Sequence, residues 1–280
     1  MNQIKLSLPS EVKNKGALVL ETVKSFLGDR EGIVVAMRIY MDESNTHDAG
    51  KYVAVSTAWA SPEVWGSWTS EWLEKIKPLK YYHAVELHGL NEQCEGWTRA
   101  QADELVIRCL PIIRDHKIEG AVAVFDKLKL AQMLAHRPDV MAKLDHEYFV
   151  GFIWAVTRVM RDLKKRGETE ISFFHEMNSF ESRAHMHFAS LMRREGLPNA
   201  TLSFGSKEGY PPLQCADIFA YEAYQQMKLD PTMVRIRKPW LVINETNNTP
   251  IRVNALIADE ALLKVLANTL IDWYDSSHAK

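Results

Sequence analysis

The chain has 280 residues, of which 46% are hydrophobic and 25% charged, a composition that excludes wholesale disorder and provides for a large core. Its formal net charge of -2 excludes a protein that grips nucleic acid by bulk positive charge, so any such site must be a local patch. Three cysteines, Cys94, Cys109 and Cys215, form no CxxC and are too scattered for a disulfide framework or a zinc cage; they read as reduced thiols of a cytoplasmic protein.

The opening stretch MNQIKLSLPSEVKNKG lacks the charged-then-apolar order of a signal peptide, and the longest near-apolar run, FVGFIWAV at 149–156, is too short to span a bilayer. Residues 1–30 read as an appendage in which GALVLETVKSFLG predicts a short amphipathic helix ending at Gly28. Residues 33–43 and 52–60 are β-branched and apolar, and the polar turn NTHDAGK between them predicts an antiparallel hairpin. Ser61 as N-cap and Pro62 at the first helical position start a helix whose Trp65, Trp68 and Trp72 form an aromatic stripe for the core.

Thr98 caps a second helix, RAQADELVIRCLPIIRDH, which Pro111 is expected to kink or break. IEGAVAVFD at 118–126 reads as a third strand, and one long helix is expected from Asp139 to Arg166, stopped by Gly167. ISFFHEM at 171–177 is a fourth strand, FESRAHMHFASLMRRE a helix, ATLSFGS at 200–206 a fifth strand, and PPLQCADIFAYEAYQQM a further helix. Short turns pair the early strands antiparallel, whereas each later strand follows a helix and joins in parallel. The expected class is therefore α/β, a mixed five-stranded sheet with helices on both faces. Residues 31–228 make the main domain, and 229–280 a C-terminal extension that carries RIRKPW and a last amphipathic helix, DEALLKVLANTLIDWY.

The first strand ends in MDES. Successive strand side chains face opposite ways, so Asp42 and Glu43 cannot both turn to solvent if both faces of the sheet are covered. A strand that ends in an Asp/Ser/Asn turn explains the same letters. Asp217 is more informative, because Pro211 and Pro212 set the helix start and leave it beyond the first turn, where it cannot be a cap. Ala216, Ala220 and Ala223 let that helix approach the sheet closely. An unpaired buried carboxylate costs on the order of several kcal/mol, so Asp217 needs a cation, either an arginine or a metal ion. Glu176, at the end of the fourth strand, and Glu86, in YYHAVELHG, extend the set. Asp42 and Glu176 share one edge if their strands are parallel neighbours. Convergent carboxylates repel unless a divalent cation neutralises them, and hard oxygen donors favour Mg2+ or Mn2+.

The motifs Asp42-Glu43-Ser44, His83-Ala84-x-Glu86-Leu87 and Leu213-Gln214-x-Ala216-Asp217 resemble those of the bacterial family called domain of unknown function 3800, over residues 35–226. The resemblance implies a ribonuclease H-like fold in which Asp42, Glu86, Glu176 and Asp217 are both catalytic residues and metal ligands. Members of the family more often carry an aspartate where this chain has His175-Glu176. The implied chemistry is two-metal phosphodiester hydrolysis by a nuclease, in bacterial defence or on a mobile element, with Asp42 bridging both ions. His83 either shuttles a proton or is a core histidine bonded to a backbone carbonyl. RIRKPW offers Arg235, Arg237 and Lys238 to phosphates and Trp240 to a base, unless it is merely solvated surface charge. Nucleic acid is the expected partner, no membrane is, and the many exposed-looking tryptophans suit a homodimer. Two alternatives stand beside the nuclease: a non-catalytic ribonuclease H-like nucleic-acid-binding or regulatory protein, and a hydrolase of a small phosphate ester.

Overall fold

The sheet grows outward from β1 (Met37–Ser44), which has antiparallel β2 (Tyr52–Ala60) on one side and parallel β4 (Ile171–Glu176) on the other. The computed structural model describes residues 36–44, 50–144, 146–244, 253–257 and 260–278; the helix expected at 16–28 and most of the turn between the first two strands lie outside the described residues. Strands β3 (Glu119–Asp126), β5 (Thr201–Gly205) and β6 (Val253–Ile257) complete the order β5-β4-β1-β2-β3-β6, in which β2 runs against the other five. All five expected strands form; β1 and β2 pair antiparallel and β4 and β5 join in parallel as expected, whereas β3, although it follows a helix, pairs antiparallel with β2. The sixth comes from the C-terminal extension, whose β6 pairs in parallel with β3 and so joins the sheet.

Period-two alternation sends each strand's side chains to two separate cores. On one face Tyr40, Ala54, Ala58, Val122 and Val124 pack beneath α1 (Pro62–Lys75), α2 (Ala84–Gly89), α3 (Arg99–Asp115), α8 (Leu213–Leu229) and α9 (Lys238–Asn244). On the other, Ile39, Met41, Val53, Val55 and Phe125 pack against α4 (Lys127–Met133), α5 (Pro138–Leu144), α6 (Tyr148–Lys165), α7 (Glu181–Glu195) and α10 (Glu260–His278). The same alternation turns Asp42 toward the α8 face and Glu43 toward the α6 face. Trp65, Trp68 and Trp72 are buried in a ladder of ring contacts, as their spacing predicts.

Three expectations need correction. Pro111 does not end α3, because Leu105, Cys109, Ile112 and Ile113 are buried on both sides of it and their packing outweighs one missing N–H donor. The single helix from Asp139 to Arg166 is two helices, α5 and α6, and α6 has its own start: the Tyr148 N–H donates to the His146 side chain at 3.0 Å. The tryptophans do not form an outward face for a dimer, since none of the seven described ones is exposed.

The α8 helix sits unusually close to the sheet. A Cβ on Gly120 of β3 would lie 2.5 Å from the Phe219 ring and 3.0 Å from the Thr57 carbonyl oxygen. Ala216, Ala220 and Ala223 are all buried at this contact. Gly120→Ala is therefore expected to lower stability by about 1–3 kcal/mol in urea unfolding. Phe219→Leu in the same chain should recover part of that loss; strictly additive losses would mean that the two residues do not compete for one space.

Candidate active site

The register that sets Met41 beside His175 in the parallel β1–β4 pair brings the next residues, Asp42 and Glu176, to the same end of neighbouring strands. Asp217 reaches this point from α8. The cation that these acids demand is neither an arginine nor, among the residues themselves, a metal ligand set: it is Lys207, from the short connection between β5 and α8. Its Nζ lies 3.0 Å from Asp42 Oδ2 and 3.8 Å from Asp217 Oδ1, and it donates a hydrogen bond to Glu176 Oε2. The lysine side chain is 4% exposed and that of Asp42 1%, whereas Glu176 is 29% exposed, so the cluster opens to water on the Glu176 side.

Two side chains of α8, three residues apart, set this geometry. Gln214 Oε1 accepts from the Tyr82 N–H and from Trp72 Nε1, both at 2.8 Å, while its Nε2 donates to the Lys207 carbonyl at 2.8 Å. Asp217 Oδ2 accepts from the Ala84 N–H at 2.7 Å. The alternate amides of residues 82 and 84 thus dock on one helix face as they would on a neighbouring strand. Below them Ser56 donates from β2 to the Ala216 carbonyl at 2.6 Å, which ties the first turn of α8 to the sheet.

Glu86 does not join the cluster. Its carboxylate accepts from His83 Nδ1 at 2.8 Å, from the Tyr81 hydroxyl at 3.1 Å and from Gln93 Nε2 at 3.2 Å. Spaced three apart at the start of α2, Glu86 and His83 satisfy each other before either can reach Asp42. His83 is consequently no core histidine on a backbone carbonyl. Its imidazole is held by a carboxylate, is partly exposed, and stands near enough to Glu176 to help lower that group's pKa. The expected nucleic-acid residues divide in the same way. Arg237 is spent on buried Glu222 at 2.9 Å, and Trp240 is 6% exposed within the core; Arg235 and Lys238 face solvent.

Burial pushes the Asp42 carboxyl well above its usual range, and the neighbouring Glu176 and Asp217 charges add to the push, against Lys207. Burial acts on Glu176 in the same direction, but there the Lys207 ammonium and hydrogen bonds outweigh it and hold the group below its ordinary value. Negative charge therefore resides first on Glu176, nearer water. Lys207 is itself held above its usual value: burial opposes its charge, and the three surrounding carboxylates prevail.

The residues fit a hard divalent cation by chemistry. All donors are carboxylate oxygens, and buried Asp42 Oδ2 has the lysine charge at 3.0 Å yet receives no well-directed hydrogen bond. With Lys207 among them, no group of three or more His, Cys, Asp or Glu side chains among the described residues is already spaced to hold an ion. Asp42, Glu176 and Asp217 are the three that could do so. Among the described residues no helix is long and apolar enough to cross a membrane.

Behind the cluster, on the α6 face, Glu43 belongs to a second network. Asn178 donates to Glu43 Oε1 at 2.9 Å, the Tyr148 hydroxyl meets His175 Nε2 at 2.7 Å, and His175 Nδ1 lies 2.8 Å from the Glu176 carbonyl. These partners make Nδ1 the donor and Nε2 the acceptor of a neutral ring, and burial pushes His175 down to about 4. Burial pushes Glu43 up from 4.5 to about 7. A raised carboxyl pKa stabilises the fold fully below pH 4.5 and loses that contribution as pH rises through about 7. In EDTA, Glu43→Gln is thus expected to melt with the wild type at pH 4.5 and above it at pH 8; His175 titrates in both proteins and drops out of the difference. A difference independent of pH would refute the assignment.

No family model matches the chain and no curated protein matches its sequence, so the chemistry of this site rests on its own residues.

Proposed function

We propose that the chain is a Mg2+- or Mn2+-dependent phosphodiester hydrolase acting on nucleic acid, with a ribonuclease H-like fold. The observation that carries this reading is the meeting of Asp42, Glu176 and Asp217, from two parallel neighbouring strands and one helix, around a single cationic point. The order β5-β4-β1-β2-β3 with β2 reversed supports the fold, and β6 is an addition at its edge. A divalent ion held by these three acids would lower the pKa of an attacking water and neutralise the departing oxygen.

The chain's own groups supply the rest. Glu86 accepts a hydrogen bond from the Nδ1–H of His83 and so fixes which imidazole nitrogen, Nε2, is left to accept a proton from water or return one to the leaving oxygen. Asp42 and Lys207 keep the inner side of the site dry, where charge interactions are strongest. Tyr210, Met177 and Val85 are exposed, and each follows closely in the chain on a residue of the site or its support, offering apolar surface to a base or sugar. That surface favours nucleic acid over a small phosphate ester.

A second reading draws on Lys207. Because the lysine already neutralises part of the cluster, the acids could serve only as a folded-state ion network in a non-catalytic nucleic-acid-binding protein. Cleavage of labelled single- and double-stranded DNA and RNA in Mg2+ or Mn2+, on the wild type and on Asp42→Asn, separates the two. The hydrolase should lose at least about a hundred-fold in rate with Asp42→Asn, while circular dichroism stays native. Binding without metal-dependent cleavage in the wild type would leave the second reading in possession.

A further inference from the structure

We infer that Lys207 permanently fills the cation position shared by Asp42 and Glu176, so that the protein takes a single divalent ion where the carboxylates without the lysine would take two. The inference rests on the reading of the cluster as a metal centre. Lysine here is not a surface residue that has folded inward: its side chain is 4% exposed and its ammonium bridges Asp42 and Glu176, the two strand-end acids that a shared ion would bridge.

The backbone of this lysine is also fixed. Its carbonyl accepts from Gln214 Nε2 at 2.8 Å, and the other end of that amide is locked by Trp72 and by the Tyr82 N–H. An ion competing for the same place must displace the ammonium from charge-assisted contacts with Asp42 and Glu176, of which the Asp42 one lies on the dry side, where such contacts are strong. Asp217 is different. One of its oxygens is used by Ala84, and the other stands at 3.8 Å from the ammonium, beyond a hydrogen bond. Asp217 Oδ1 and the partly exposed Glu176 are therefore the acids still able to serve an incoming ion.

Charge leads to the same count. With all three acids ionised by an incoming ion, three carboxylates and one ammonium would carry two negative charges, which one divalent ion neutralises. A second would leave an excess of positive charge in a site whose inner wall is sealed from water, at a desolvation cost that carboxylates alone could not repay.

Calorimetric titration of Mn2+ into the full chain, stripped with EDTA, tests this on the wild type, Lys207→Met and Lys207→Arg. The expected result is one ion for the wild type and for Lys207→Arg, and two for Lys207→Met, with the first bound at least about ten-fold more tightly because a competing charge is gone. Lys207→Met should also melt lower than the wild type in EDTA and gain more on adding Mn2+. Should Lys207→Met fail to fold, Lys207→Gln makes the same removal of charge with a polar side chain. Two ions on the wild type, or a Lys207→Met stoichiometry and affinity equal to the wild type, would overturn the inference and leave the metal-dependent hydrolase standing. No Mn2+ bound by any of the proteins would overturn both.

Discussion

The contact of one ammonium with three carboxylates governs the design of this protein. Burying charges costs several kcal/mol per ion, and a buried ion network is often no more stable than apolar residues of the same volume. Stability alone is therefore a poor reason to keep Asp42, Glu176, Asp217 and Lys207 together. What the arrangement does secure is a set of oxygen donors held in place before any ligand arrives, with like charges kept from driving the strand ends apart. Such pre-organisation is worth its cost in a site that must stabilise charge.

That contact survives only if four separate segments keep their places to within an ångström or so, and α8 provides for this. Its close seat on the sheet depends on the missing side chain of Gly120, since even one added carbon there would meet Phe219. From that seat Gln214 fixes the Lys207 backbone and residue 82, and Asp217 fixes residue 84 while presenting its second oxygen to the cluster. A helix that binds a passing segment through i and i+3 side chains can carry function and scaffold in the same carboxylate. Loss of Asp217 would therefore disturb the position of His83 as well as the charge of the site.

The acids were legible in the sequence because each violated a local rule. Asp217 lies mid-helix among alanines, and Asp42 and Glu176 end apolar strands, so a shared cation could be argued from period and burial alone. Lys207 was not legible: SKEGYPP reads as a solvated turn, and nothing local says that the lysine points inward. The available signal was indirect, namely that Asp217 required a cation and Lys207 stands ten residues before it, just beyond a strand end. Glu86 misled for the opposite reason. Its motif suggested the long-range cluster, but an i, i+3 imidazole and a nearby glutamine claimed its oxygens first. Trp240 and Arg237 looked like a binding strip because sequence does not show that buried Glu222 needs an arginine, or that α9 packs beside α3. The sixth strand escaped because its pairing with β3 spans more than a hundred residues of chain.

The two adjacent carboxylates at the end of β1 are separated by the pleat rather than by distance along the chain. Asp42 faces Lys207 beneath α8, and Glu43 faces Asn178 and His175 beneath α6, with the Glu43 N–H donating to Asp42 Oδ1 at 2.8 Å between them. With its pKa pushed up to about 7, Glu43 is uncharged over much of the range in which Glu176 is negative, so the two faces do not add their repulsion. A slip of β1 by one residue would exchange these roles, turning Glu43 to the lysine and Asp42 to the neutral histidine. The antiparallel register from Arg38 opposite Ala60 to Ser44 opposite Ala54 opposes that slip, and so does the apolar alternation of Ile39, Tyr40 and Met41 between the two cores. The identity of the acid at the site is thus decided by the packing of three residues that lie outside the charged cluster.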